Sequence, residues 1–136
     1  MAENRKQRAI PISTKTTQPF WDGIEAGKLM LQYDPDENVY QFYPRAGSVK
    51  TGRRNLVWRE ASGVGTIYSF TETYVPIAGF EERTPYLLAM VELEEGVRIL
   101  ANLINVSAAT ISVGMPVKVA FETITDEQDY FCFEPA

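Results

Sequence analysis

Four polar side chains fall into two pairs of equal spacing, Tyr33 with Asp36 and Ser48 with Thr51. Two such pairs on successive tight turns are the layout of a tetrahedral metal site, which zinc fills with thiolate or imidazole. Three hydroxyls and one carboxylate are the wrong donors for it, so no metal is expected. The wider inventory is as restrictive. The 136 residues include no histidine and one cysteine, Cys132. Ser-His and Cys-His nucleophilic systems need an imidazole base, so neither can be assembled from this chain alone. Carboxylates remain available for acid–base work, with Glu72 and Glu92 as candidates. Solvated or salt-bridged strand residues are the alternative reading of both. Cys132 stands between Phe131 and Phe133 with no flanking cation to favour a thiolate, and reads as a packed or partly exposed strand residue.

The charge is acidic overall, −5, but unevenly spread. Of thirteen basic residues, Arg45, Lys50, Arg53, Arg54 and Arg59 fall within fifteen positions. They form either a solvated basic loop or a docking site for phosphate or an acidic partner. Broad nucleic-acid affinity is disfavoured, because it depends on neutralising many phosphates.

These residues must be positioned by short elements. Residues 1–16 show no period and are expected to form a flexible arm. A helix follows: Thr17 can cap it, Pro19 suits its first turn and Gly27 its stop. Phe20, Trp21 and Ile24 share one face, which serves either core packing or docking on another chain. "KLMLQY", "VYQFYP" and "NLVWRE" read as three strands. From residue 61 the chain turns β-rich. "GTIYSFTETYV", two strands around Glu95-Gly96, "VKVAFE" and "YFCFEP" give five strands, with a helical turn at "SAAT" before the fourth. That order predicts a small closed barrel of the OB type. The fold class is mostly β, with 17–60 and 61–136 as the two structured parts. No apolar run approaches the roughly 20 residues that span a bilayer, and the N-terminus lacks the apolar core of a signal peptide. A cytoplasmic protein with no membrane contact is expected.

"PFWDGIEAGKLMLQY", "FYPR", "SGVGTIYSFT", "PYLLAMVELEEGVRILANL" and "VGMPVKVAFE" occur in that order. Together they resemble the acyl-CoA-associated family that joins an N-terminal helix and rubredoxin-like zinc ribbon to a C-terminal OB-fold. The resemblance implies a non-catalytic accessory subunit of a thiolase-like or hydratase-like enzyme acting on CoA thioesters. Such a subunit supports assembly and contributes to the channel around CoA. It binds no cofactor by itself, although a CoA thioester can meet it within a complex. The family's two Cys-x-x-Cys pairs correspond here to Tyr33, Asp36, Ser48 and Thr51, so the ribbon is degenerate and metal-free.

A zinc-free ribbon needs another source of stability, and the expectation is aromatic packing by Tyr33, Tyr40, Phe42, Tyr43 and Trp58. The expected contacts are Phe20, Trp21 and Ile24 toward a partner enzyme, and Arg45, Lys50, Arg53 and Arg54 toward CoA phosphate or an acidic surface. Alone, the chain can self-associate through the same surfaces. The competing class is a single-stranded nucleic-acid-binding OB-fold stacking bases on Tyr68, Phe70, Tyr74 and Tyr86. Against it, Glu92, Glu94 and Glu95 outnumber the one cation there, Arg98.

Overall fold

The computed structural model describes residues 9–77, 79–80, 82–125 and 128–136. Half of the expected arm, residues 1–8, lies outside the described residues.

Helix α1 spans Gln18–Glu25, and its stop follows from glycine. Gly27 adopts φ +74°, a conformation costly for any residue with a Cβ. The Lys28 N–H thereby reaches the Gly23 carbonyl (2.8 Å) and the Gly27 N–H the Ile24 carbonyl (3.0 Å). These two bonds form a Schellman closure of the last turn. The expected cap differs. Thr17 caps no helical N–H, and its Oγ1 instead accepts from the Thr14 N–H (2.9 Å). The helix entry is therefore braced from the preceding turn.

Strands β1 (Met30–Asp34), β2 (Val39–Gln41) and β3 (Val57–Glu60) form an antiparallel sheet in the order β2-β1-β3. Strands β4 (Val64–Thr73), β5 (Tyr86–Leu93), β6 (Arg98–Leu103), β7 (Pro116–Thr125) and β8 (Gln128–Pro135) close a barrel in the order β4-β5-β6-β8-β7. The neighbours are antiparallel except β6 and β8, which run parallel through Leu103 and Phe133. This is the five-stranded OB barrel predicted from the strand pattern. The helical turn at 107–110 also forms, with the Ile111 N–H bonded to the Ser107 carbonyl (3.0 Å).

Closure depends on one close approach. A Cβ on Gly65 would lie 2.4 Å from the Glu92 carbonyl oxygen, so only glycine lets β4 cross β5 there. Two positions later the pairing slips between Ile67 and Ser69, a bulge at Tyr68 that bends β4 over the barrel.

The small sheet and the barrel do not have separate cores. Phe20, Trp21, Ile24, Leu29 and Leu31 join Ile67, Val91, Ile99 and Phe133 in one apolar cluster. Helix α1 is the wedge between them. Phe20 is fully buried, with ring centroids 5.8 Å from both Phe42 of the ribbon and Phe131 of β8. Cys132 is buried as well, and no side of β8 there is left for a reactive thiol. Among the described residues no helix is long and apolar enough to cross a membrane.

Removing the wedge should loosen both modules at once. Phe20→Ala is expected to cost about 3–5 kcal/mol, read as a lower urea midpoint in one cooperative transition. Two separated transitions would show that the modules fold independently.

Candidate functional site

The knuckle frame is present, and a hydrogen-bonded clasp occupies its centre. Asp34, at the end of β1, is fully buried. Its Oδ1 accepts the N–H of Asp36 (2.9 Å) and of Glu37 (3.2 Å), closing the first knuckle. Ser48 closes the second in the same way, its Oγ accepting the N–H of Lys50 (3.1 Å) and Thr51 (3.3 Å). The Ser48 hydroxyl then donates to Asp34 Oδ2, so the knuckles are bonded directly to each other.

The residue facing Ser48 is thus Asp34, one position from the Tyr33 that sequence spacing picks out. Strand alternation explains the difference, since neighbouring side chains point to opposite faces. Tyr33 lies on the other face, its ring 4.9 Å from Tyr40, the Arg59 guanidinium 3.6 Å from its centroid and its hydroxyl donating to Asn38. Asp36 is drawn outward to Asn55 (2.9 Å) and Arg53 (3.3 Å), while the Thr51 hydroxyl accepts the Arg53 N–H (3.2 Å). The four expected positions do not converge. Nor does the clasp fit zinc, because the Ser48 oxygen is already used by three hydrogen bonds and no thiolate or imidazole stands beside it.

A second buried pair supports the loop between β2 and β3. Gln32 and Gln41 lie opposite each other across β1 and β2, and the Gln41 amide donates to Gln32 Oε1 (3.0 Å). Gln32 exchanges two 2.8 Å bonds with the backbone of Arg45, and Gln41 accepts the Val49 N–H (3.0 Å). The ribbon interior is therefore polar. The expected aromatic packing is present beside it, with Tyr33 on Tyr40, and Phe42 and Trp58 packed against the core, while the knuckles themselves are held by hydrogen bonds. Gln32, Asp34 and Gln41 were legible only as strand residues. Their signal was three polar side chains at inward positions of the sheet.

The four basic candidates divide. Arg45 and Arg54 line one shallow depression of about 300 Å³ with Lys15, floored by buried Gln32 and walled by Trp58. Among the described residues no carboxylate pairs with Lys15, Arg45, Lys50 or Arg54. Arg53 points elsewhere, to Asp36, and Lys50 sits on the exposed second knuckle. Lys15 was not singled out from sequence because it lies 30 residues before Arg45.

The expected partner contacts fare differently. Phe20, Trp21 and Ile24 are all buried within the chain. A side chain already packed in the core has no surface to offer, so the core-packing alternative describes the helix face. On the barrel wall, Tyr68 is exposed with the Arg98 guanidinium 3.7 Å from its ring centroid, and Tyr86 packs on Phe80. Phe70 and Tyr74 are exposed as well. Both carboxylate candidates are engaged, Glu72 accepting from the Tyr74 hydroxyl (2.6 Å) and Glu92 beside Arg98 (3.7 Å). The bond to Glu72 also pushes the Tyr74 phenol up.

A helix and knuckle module joined through one core to a closed OB barrel defines the fold class of this chain. Comparison with known proteins agrees. Residues 58–122 match the family model described as the ChsH2 C-terminal OB-fold domain. The chain is similar to the 3-oxo-4,17-pregnadiene-20-carboxyl-CoA hydratase alpha subunit of Mycobacterium tuberculosis, 33% identical over 92% of this chain and 39% of that one. It is 39% identical to a DUF35 domain-containing scaffold protein of Pyrococcus furiosus, covering 66% of this chain and 67% of the relative. The chain belongs to this DUF35 family of OB-fold proteins. Its fold superposes on a chain of the solved Ltp2-ChsH2(DUF35) aldolase with a TM-score of 0.84 at 25% identity, covering 93% and 98% of the two chains. The chain spans about two fifths of the length of the mycobacterial hydratase subunit.

The clasp carries a pH signature. The Ser48 hydroxyl, aided by the Glu37 and Asp36 N–H groups, holds the Asp34 carboxyl below the usual aspartate range against the opposing effect of burial. A carboxylate depressed by folding stabilises the fold above the ordinary range. That stability is lost as pH falls from the ordinary value through the folded one, because the unfolded chain binds the proton first. Asp34→Asn should flatten this acid limb of the stability curve. Ser48→Ala leaves the buried Asp34 carboxylate without its side-chain donor and should cost about 1–3 kcal/mol near neutral pH. Urea melts from about pH 7 down to about pH 3 check both.

Proposed function

We propose that this chain is a non-catalytic accessory subunit that scaffolds a thiolase-like or hydratase-like enzyme acting on acyl-CoA thioesters. The observation that carries this reading is the near full-length likeness to a chain of the Ltp2-ChsH2(DUF35) aldolase. The relatives named as a hydratase subunit and as a scaffold protein support it. So does the inventory of side chains, since the nucleophile–base pairs that need imidazole must come from another chain. The cytoplasmic setting expected from the sequence belongs to this same reading, and so does a ribbon that folds without zinc.

Within such a complex the depression of Lys15, Arg45 and Arg54 faces the phosphates of CoA. Arginine forks match phosphate oxygens, and the Arg45 backbone is held in place by Gln32. Trp58 offers an apolar wall beside them. Lys50 and Arg53 stand outside this group.

Capture of the tagged chain from its native host, followed by mass spectrometry, should return a thiolase-like or hydratase-like subunit at stoichiometric amounts. Turnover of an acyl-CoA by the chain alone would overturn the reading. In the captured complex, Arg45→Glu with Arg54→Glu should weaken CoA-thioester binding about tenfold or more, as loss of charge-assisted hydrogen bonds worth about 1.5–3 kcal/mol each requires. Titration calorimetry on wild type and variant measures the difference. Treatment with a chelator should leave the melting temperature where it was.

A further inference from the structure

The first strand of the barrel is paired on both sides for only part of its length. On its β7 side, β4 is laddered from Val64 to Thr66. Ile67 makes the last bonds there, donating its N–H to the Met115 carbonyl (3.0 Å) and accepting the Gly114 N–H (2.8 Å). Beyond the bulge at Tyr68, β4 continues to Thr73 against β5 alone.

Which backbone groups face the open side follows from the neighbouring strand. The Leu93 N–H bonds the Val97 carbonyl, and the Glu94 N–H bonds the Val64 carbonyl. Bonding direction alternates residue by residue along an antiparallel strand. β5 pairs with β6 without a slip, so its odd-numbered residues turn to β6 and its even-numbered ones to β4. Tyr86, Leu88 and Met90 therefore bond their partners Thr73, Thr71 and Ser69. Phe70 and Glu72 alternate with these and direct their N–H and C=O groups to the open edge. Among the described residues neither backbone has a hydrogen-bond partner there.

Both faces of this edge are bare as well. Ser69 and Thr71 are exposed, and Phe70, opposite buried Ala89 on the inward face, is still 39% accessible. An open strand edge is a template for another strand, and proteins blunt it with Lys, Pro or brevity. Residues 68–74, "YSFTETY", hold no Pro, Lys or Arg. Glu72 is the one charge, and its carboxylate accepts the Tyr74 hydroxyl (2.6 Å). The order of side chains selects the occupant. About Thr71 the segment reads nearly the same in both directions, with Ser69 matched by Thr73 and Tyr68 by Tyr74.

We propose that the open edge of β4 pairs antiparallel with the same edge of a second copy of this chain, across a two-fold axis at Thr71. That register sets Phe70 opposite Glu72 of the second copy, and the reverse, so all four outward backbone groups of each chain find partners. On the other face Thr71 meets its own copy and Ser69 meets Thr73, hydroxyl pairs that favour cross-strand association. An axis at Phe70 would set Glu72 against the bulge at Tyr68, and one at Glu72 would bring two carboxylates face to face. The pairing uses the whole open edge of each chain, so assembly closes at two. The proposal goes beyond the scaffold reading and does not rest on it.

Sedimentation equilibrium on the full chain should show a monomer–dimer equilibrium below about 1 mM, as suits a small interface. Thr71→Lys sets two ammonium groups against each other at the axis. Phe70→Pro removes an outward N–H while leaving the bonds to β5. Each should weaken dimerisation at least tenfold with circular dichroism unchanged. Facing residues of a non-hydrogen-bonded pair have Cα atoms about 4.5 Å apart, within disulfide reach. Under mild oxidation Thr71→Cys should therefore cross-link as a dimer, whereas Ser69→Cys should not, and native Cys132 is buried. Wild type that stays monomeric to about 1 mM overturns the proposal. So do a dimer that Thr71→Lys leaves intact, cross-linking through Ser69→Cys instead, and growth into open-ended fibres. If wild type is monomeric alone but captures the co-expressed enzyme subunit, and Thr71→Lys abolishes that capture, the edge takes the enzyme's strand. The second copy is then overturned while the scaffold reading stands.

Discussion

A carboxylate that has lost all contact with water must find its hydrogen bonds inside the protein, and Asp34 finds three. Two come from backbone of its own knuckle and one from the Ser48 hydroxyl of the other. Ser48 satisfies its own turn in the same way. A metal ion would join these turns by drawing four ligands to one centre. Here one side-chain bond joins them, and each partner also closes a turn. The Gln32–Gln41 pair then fixes the loop between, including the backbone of Arg45. The position of the basic depression thus depends on a buried polar network.

The same economy couples the modules. Phe20 is shared between ribbon and barrel, touching Phe42 and Phe131 at equal centroid distance. Neither part can bury its own apolar face without the other, so a small three-stranded sheet is stabilised by a barrel core much larger than itself. The price is that the helix face, which looks like a docking stripe in a linear reading, is consumed internally.

The exposed hollows on the two parts differ in chemistry. The basic depression lies on the ribbon beside Trp58, where cations stand without carboxylates. An uncharged hollow is lined by Leu100 and Tyr130 of the barrel with Phe42 and Tyr43.

Strand and turn chemistry made most of the architecture legible. Alternation along residues 97–103, the Glu95-Gly96 turn and the Gly27 stop are local, and local rules settle them without knowing the neighbours. The absence of histidine ruled out imidazole catalysis before any geometry was known. The rest was decided by contacts between distant parts of the chain. Which member of the Tyr33-Asp34 pair faces inward depends on the sheet register, and a one-residue change reverses every side chain. Lys15 joins Arg45 and Arg54 only because the chain returns to that point. Composition shows that Phe20 and Trp21 must be covered, but only the folded chain shows that it covers them itself. It leaves Leu100 and Tyr43 exposed because packing is filled by the residues that reach the core first in space, not in sequence.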